Sequence, residues 1–121
     1  MELSVFERLL LRNIVPQIQG WNFGSQESAR ILLETMFTEQ EEEELQFEQK
    51  GIRVEWKVAK EDGTPISQEK DCQVSKGLKV KVGKFLVDLQ KEEKLGFEHN
   101  SLFKKFVDNW QDYLEKDEPA Q

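Results

Sequence analysis

The sequence predicts a mainly α, α+β fold: about five helices with a small antiparallel β-hairpin between the third and fourth. Three observations predict it. Apolar residues recur at three- and four-residue spacing along most of the chain. Two S/T-x-x-E capping boxes announce helix starts at Ser4–Glu7 and Thr38–Glu41. One stretch, residues 52–57, alternates apolar and charged side chains and is followed by turn chemistry.

The first helix opens at the Ser4–Glu7 box, where each side chain can satisfy an orphan backbone N–H of the first turn. Phe6, Leu9, Leu10 and Ile14 supply its apolar face, and Pro16 closes it because proline cannot continue the hydrogen-bond ladder. Residues 16–25 read as a connector whose Trp21 and Phe23 plug the loop into the core. After Ser25, the positions Ala29, Leu32, Leu33, Met36 and Phe37 follow the i, i+3, i+4, i+7, i+8 pattern of one buried helical face. Arg30 and Glu34 sit four apart on its flank. A short third helix, TEQEEEELQF, follows, its first turns crowded with carboxylates that the positive end of the helix dipole favours.

Ile52, Val54 and Trp56 alternate with Arg53, Glu55 and Lys57 as a half-buried strand does. Asp62-Gly63 and Pro65 provide a turn, and a second strand around residues 71–74 is expected to return and pair with the first. Between residues 75 and 95, Leu78, Val80 and Val82 alternate with lysines, which alone suggests strand. Leu78, Val82, Phe85, Leu86 and Leu89 also fit a helical face with Ser75 as N-cap, and the length of the pattern favours helix. Gly83 weakens this helix by ~1 kcal/mol relative to Ala, and Gly96 is expected to end it. The last helix opens between Phe97 and Ser101 and carries Leu102, Phe103, Phe106, Val107, Trp110 and Leu114 on one broad face. The expected core comprises Phe6, Leu9, Leu10, Leu32, Leu33, Met36, Val82, Phe85, Leu86, Leu89, Phe103, Phe106, Val107 and Trp110. Residues 1–116 are expected to form a single compact domain and residues 117–121 a frayed polar tail.

Composition narrows the function classes. Of 121 residues, 24 are acidic and 17 basic, giving a formal charge of −7, while eight Phe and three Trp can fill a core. Such aromatic content argues against wholesale disorder. No apolar run approaches the ~20 residues of a membrane-spanning helix, and the N-terminal stretch lacks the basic leader and cleavage site of a secretory signal. A cytoplasmic location is therefore expected. One Cys and one His leave no N/S ligand set for zinc, and no D-x-D-x-D-G loop or Gly-rich phosphate loop is present. No metal or other cofactor is expected. The acidic balance argues against direct nucleic-acid binding and suits a basic protein partner or plain solubility.

The segments ELSVFERLLLRNIVP, GWNFGSQESARILLETMFTEQEEEEL and LQKEEKLGFEHNSLFKKFVDNW together resemble a group of small uncharacterised phage and prophage proteins. These share an opening apolar helix ending in Pro, a Gly-aromatic junction, an acidic helix start, a Trp-containing hairpin and a closing helix. The resemblance implies a phage or mobile-element context, and a host-cell cytoplasm. It also favours the helical reading of residues 75–95. It brings no established activity, so no catalytic residue is carried over.

The acidic run is the most conspicuous chemistry. Glu34, Glu39, Glu41, Glu42, Glu43, Glu44 and Glu48 follow one another without a basic residue. Carboxylates spaced along a helix can imitate the phosphates of a duplex and occupy a basic channel of another protein; equally, charge runs are usually solvated faces. The candidate partner-binding residues are Glu39, Glu41, Glu42, Glu43, Glu44 and Glu48. Consecutive helical glutamates fan out around the axis, so only a pair such as Glu39 and Glu43 shares a face, which suits neither acid–base work nor Mg²⁺ binding. His99 has no nucleophile signature beside it and reads as a helix-entry residue, and Cys72 as a small buried hydrophobe. Lys76, Lys79, Lys81, Lys84, Lys91 and Lys94, spread around a helix, make no phosphate-tracking stripe. The expected function is that of a non-enzymatic accessory protein acting by protein–protein contact, in its sharper form an acidic inhibitor of a host nucleic-acid-handling protein. The alternatives are a minor assembly component that oligomerises and a small DNA-binding regulator.

Overall fold

A computed structural model of the chain describes residues 1–115; the expected tail, residues 117–121, lies outside them. Five helices and two small two-stranded antiparallel sheets make up the described part. Strand β1 (Glu2–Ser4) leads directly into α1 (Val5–Ile14), which opens on the Ser4–Glu7 capping box and gives way to a 3₁₀ turn containing Pro16. Helix α2 (Phe23–Thr35) and helix α3 (Glu39–Leu45) follow. The hairpin β2 (Glu48–Lys50)–β3 (Arg53–Glu55) then stands between α3 and α4. Strand β4 (Glu69–Asp71) precedes α4 (Lys76–Lys91), which is capped by Ser75, and α5 (Asn100–Phe106) closes the helical set.

The strand pairing differs from the expected one. β3 pairs with β2, not with residues 71–74, because Gly51 adopts a left-handed φ of 65° and turns the chain back at once. Ile52 therefore sits in the turn and is fully exposed rather than on an apolar strand face. β4 instead lies antiparallel to β1, with Leu3 opposite Lys70. Cys72, one residue beyond β4, donates its N–H to the Met1 carbonyl.

The core gathers Leu11 and Ile14 of α1, Ala29 and Leu32 of α2, Leu78, Val82 and Leu86 of α4, and Leu102, Phe103 and Phe106 of α5. Leu3 of β1, Leu45 of α3 and Met36, Phe37, Ile66 and Val107 of the connecting segments are buried with them. Of the expected core, Leu9, Leu10, Leu33, Phe85, Leu89 and Trp110 are half-buried, and Phe6 is 44% exposed. The α1 correction has a plain cause. The inward side of this helix is the one bearing Arg8, Leu11 and Ile14, and Phe6 lies on the opposite side.

Three helix boundaries are also corrected. α2 starts earlier than Ser25, because Asn22 Oδ1 accepts the Ser25 N–H at 2.8 Å and caps the helix there. Phe23 thus falls on its first turn and is 77% exposed instead of plugging the core, while Trp21 packs against it. α4 ends at Lys91, before Gly96, in a Schellman arrangement with Glu93 left-handed at φ 57°. Lys94 N–H reaches the Leu89 carbonyl there, and Glu93 N–H the Gln90 carbonyl. α5 stops at Phe106, so Trp110 lies on a separate 3₁₀ turn and Leu114 is exposed, rather than both extending one face.

Candidate functional site

The acidic run divides into an inner and an outer part. Thr38 Oγ1 accepts the Glu41 N–H and Glu41 Oε1 accepts the Thr38 N–H, both at 3.1 Å, so the capping box fixes the first turn of α3. Leu45, four residues on, is fully buried and turns the Glu41 side of the helix inward. Glu41 Oε2 there accepts a 2.7 Å charge-assisted hydrogen bond from Arg8 Nη1, and Lys70 Nζ lies 3.4 Å from its other oxygen.

Arg8 has no solvent exposure. Its Nη1 also donates to the Met36 carbonyl at 2.7 Å, Nη2 to the Gln68 carbonyl at 3.2 Å and Nε to the Ser4 carbonyl at 3.3 Å. The guanidinium lies 4.5 Å from the centroid of the Phe37 ring. One side chain thus joins α1, the end of α2, the start of α3 and the segment leading into β4. Glu41, expected among the partner-binding residues, is committed to this internal network.

A more deeply buried carboxylate, Glu7, accepts from Lys105 Nζ at 2.7 Å and from the Ser4 N–H at 2.9 Å, tying α1 to α5. Burial by itself raises the pKa of both Glu7 and Glu41. The bonds from Lys105 and Ser4, and from Arg8 and Thr38, outweigh it and leave both carboxyls below the ordinary value of 4.5. A carboxyl whose folded pKa is depressed stabilises the fold above its unfolded pKa, and that contribution disappears as pH falls through the folded value. The urea midpoint is accordingly expected to be flat above about pH 5 and to drop on further acidification. A midpoint still unchanged at pH 3 would contradict this account of both pairs.

Glu39, Glu42, Glu43 and Glu48 are exposed, and among the described residues none has a basic group within 4.0 Å. Glu39, Glu42 and Glu43 share the outer face of α3, three and four residues apart. Glu44 is half-buried and accepts from Gln40 Nε2, and Glu48 stands opposite Glu55 on the hairpin. The expected site is therefore an outer trio, a flanking Glu48, a half-buried Glu44 and one internal member, Glu41.

The other candidates fall into structural roles. His99 Nδ1 accepts the Gly96 N–H at 2.9 Å and closes the 3₁₀ turn before α5. Cys72 is buried, and that burial pushes its thiol pKa up, away from the thiolate a nucleophile requires. No group of three or more His, Cys, Asp or Glu side chains suited to a metal occurs among the described residues. Nor does any described helix have the length and apolarity to cross a membrane.

The lysines of α4 are less evenly spread than expected. Lys79 pairs with Asp108, and Lys81 donates to the Gly20 carbonyl. Lys76, Lys84 and Lys91 remain on one exposed side, eight and seven residues apart. Sequence reasoning missed the buried Arg8, since a single Arg among leucines carries no signal of its burial. No protein-family model, no curated protein and no solved structure matches this chain.

Proposed function

We propose that this chain is a non-enzymatic accessory protein, in the phage-type context its sequence resembles, that docks the outer face of α3 on a basic surface of a nucleic-acid-handling protein. The observation that carries this reading is the division of the acidic run. Glu41 fastens α3 to the core through Arg8, and the opposite side holds Glu39, Glu42 and Glu43 exposed and without counter-charges among the described residues. A short helix held this way presents its carboxylates at fixed spacing, which favours electrostatic complementarity over mere solubility.

The test is a triple reversal, Glu39→Lys, Glu42→Lys and Glu43→Lys, with Glu41 left intact. Tagged wild type, applied to nuclease-treated lysate, is expected to retain a basic nucleic-acid-handling protein at low salt and release it at high salt. The reversed variant should keep the wild-type circular dichroism and lose that protein. Equal retention by both would remove the reading.

A self-associating assembly component is the second reading, and a separate feature favours it. Phe97 is fully exposed and lines a depression with Leu95 and Asn100, two residues that also line a cleft of about 170 Å³ together with Phe103, Trp110, Tyr113 and Leu114. Light scattering that rises with concentration and persists at high salt would support apolar self-association of this kind.

A further inference from the structure

We infer that the cleft between α1 and the β2–β3 hairpin is a docking groove for an extended peptide segment of another protein, one that alternates apolar and acidic side chains. This surface is distinct from the α3 face and opposite to it in charge preference, so the two readings stand or fall separately.

The cleft measures about 460 Å³ and is lined by Leu9, Arg12 and Asn13 of α1 and by Phe47, Gln49 and Val54 of the hairpin and its approach. Gln49 and Val54 are partners in the β2–β3 register and therefore share a face of the ribbon. The base of the hairpin is anchored where Phe47 meets Phe37 edge-on at 5.2 Å and Trp56 at 6.3 Å. Its tip, Gly51–Ile52, is exposed, Ile52 fully so. The ribbon thus leans on the core at its base, and a wedge walled by apolar Leu9, Phe47 and Val54 and by polar Arg12, Asn13 and Gln49 stays open beneath the Gln49–Val54 pair.

Arg12 supplies the charge preference. Its guanidinium lies 5.1 Å from the Phe37 centroid, sharing that ring with Arg8. The Arg8 charge is spent on Glu41, whereas Arg12 has no carboxylate within 4.0 Å among the described residues. An uncompensated planar fork at the wall of a partly apolar cleft matches a carboxylate in bidentate geometry. The net charge of −7 opposes an acidic ligand only at long range, and screening over about 8 Å at physiological salt confines that opposition. Leu9, Phe47 and Val54 add apolar contacts that alternate side chains of a peptide can use and a sugar-phosphate backbone cannot, which favours the peptide.

The backbone supplies the extended form. Among the described residues β2 and β3 pair only with each other, so each leaves an outer edge without a described strand neighbour. An added strand gains main-chain hydrogen bonds there, while alternate side chains enter the wedge and face Arg12.

The probe is a short capped peptide of alternating valine and glutamate, with a valine–lysine peptide of the same length as control, titrated into the isotope-labelled full chain. The valine–glutamate peptide is expected to shift the amide signals of Leu9, Arg12, Phe47 and Val54 saturably. Arg12→Gln, at an exposed site and with an unchanged melting temperature, should weaken that binding about tenfold or more. Equal binding of the lysine peptide, unchanged affinity in Arg12→Gln, or shifts confined to Lys76, Lys84 and Lys91 would each overturn the inference. So would the absence of saturable shifts.

Discussion

Glu41→Gln is expected to lower folding stability by about 2–3 kcal/mol, whereas Glu42→Gln one position along stays within about 0.5 kcal/mol of wild type. The substitution is chosen because glutamine keeps the capping box: a Gln at this position can still accept the Thr38 N–H. What it removes is the charge facing a guanidinium with no access to water. Breaking a buried ion pair from one side costs about 3–5 kcal/mol, because the remaining charge is left uncompensated. The figure here is lower, since Arg8 keeps its carbonyl acceptors on Ser4, Met36 and Gln68 and Glu41 itself is partly solvated. Urea titration of both variants at pH 7 gives the comparison, with an unchanged slope showing that compactness is preserved. Two midpoints that coincide with wild type would mean that Arg8 is held by its carbonyl acceptors alone.

That contrast bears on the proposed function. Reversing residues 41–44 as a block would lose a partner whether or not the outer face binds it, because the fold would fail first. Only variants confined to Glu39, Glu42 and Glu43 separate recognition from stability.

What the sequence discloses follows the range of the interactions involved. Both capping boxes, the Ser75 cap and the end of α1 at Pro16 are contacts within four residues, and they stand where the spacing places them. The β1–β4 ladder joins Leu3 to Lys70, and neither three-residue strand has room to show a period. α1 misleads for a different reason: it is apolar on both sides, so Phe6, Leu9 and Leu10 describe a face as convincing as the one that is buried. The exposed half of the acidic site was legible, because consecutive helical glutamates must fan out. Which one turned inward depended on Arg8, thirty-three residues away.

Gly83→Ala is expected to destabilise the protein by about 2 kcal/mol, although intrinsic propensity alone makes alanine the better helix residue by ~1 kcal/mol. A Cβ built on Gly83 would stand 2.6 Å from the Phe106 carbonyl oxygen, a separation real Cβ atoms essentially never show. The obstacle is backbone, at the end of α5, so no rotamer change relieves it; α4 and α5 must move apart and loosen Val82, Leu86, Phe103 and Phe106 together. Gly77 on the same helix provides the internal control. There the added Cβ meets the Ser25 Cβ at 3.4 Å, an ordinary contact, so Gly77→Ala should keep its propensity gain and raise the melting temperature. Opposite shifts for two Gly→Ala changes in one helix would assign the effect at position 83 to the α4–α5 approach. A stabilising shift for both would mean that α5 yields at Phe106 and that the glycine is not what sets the distance between the two helices.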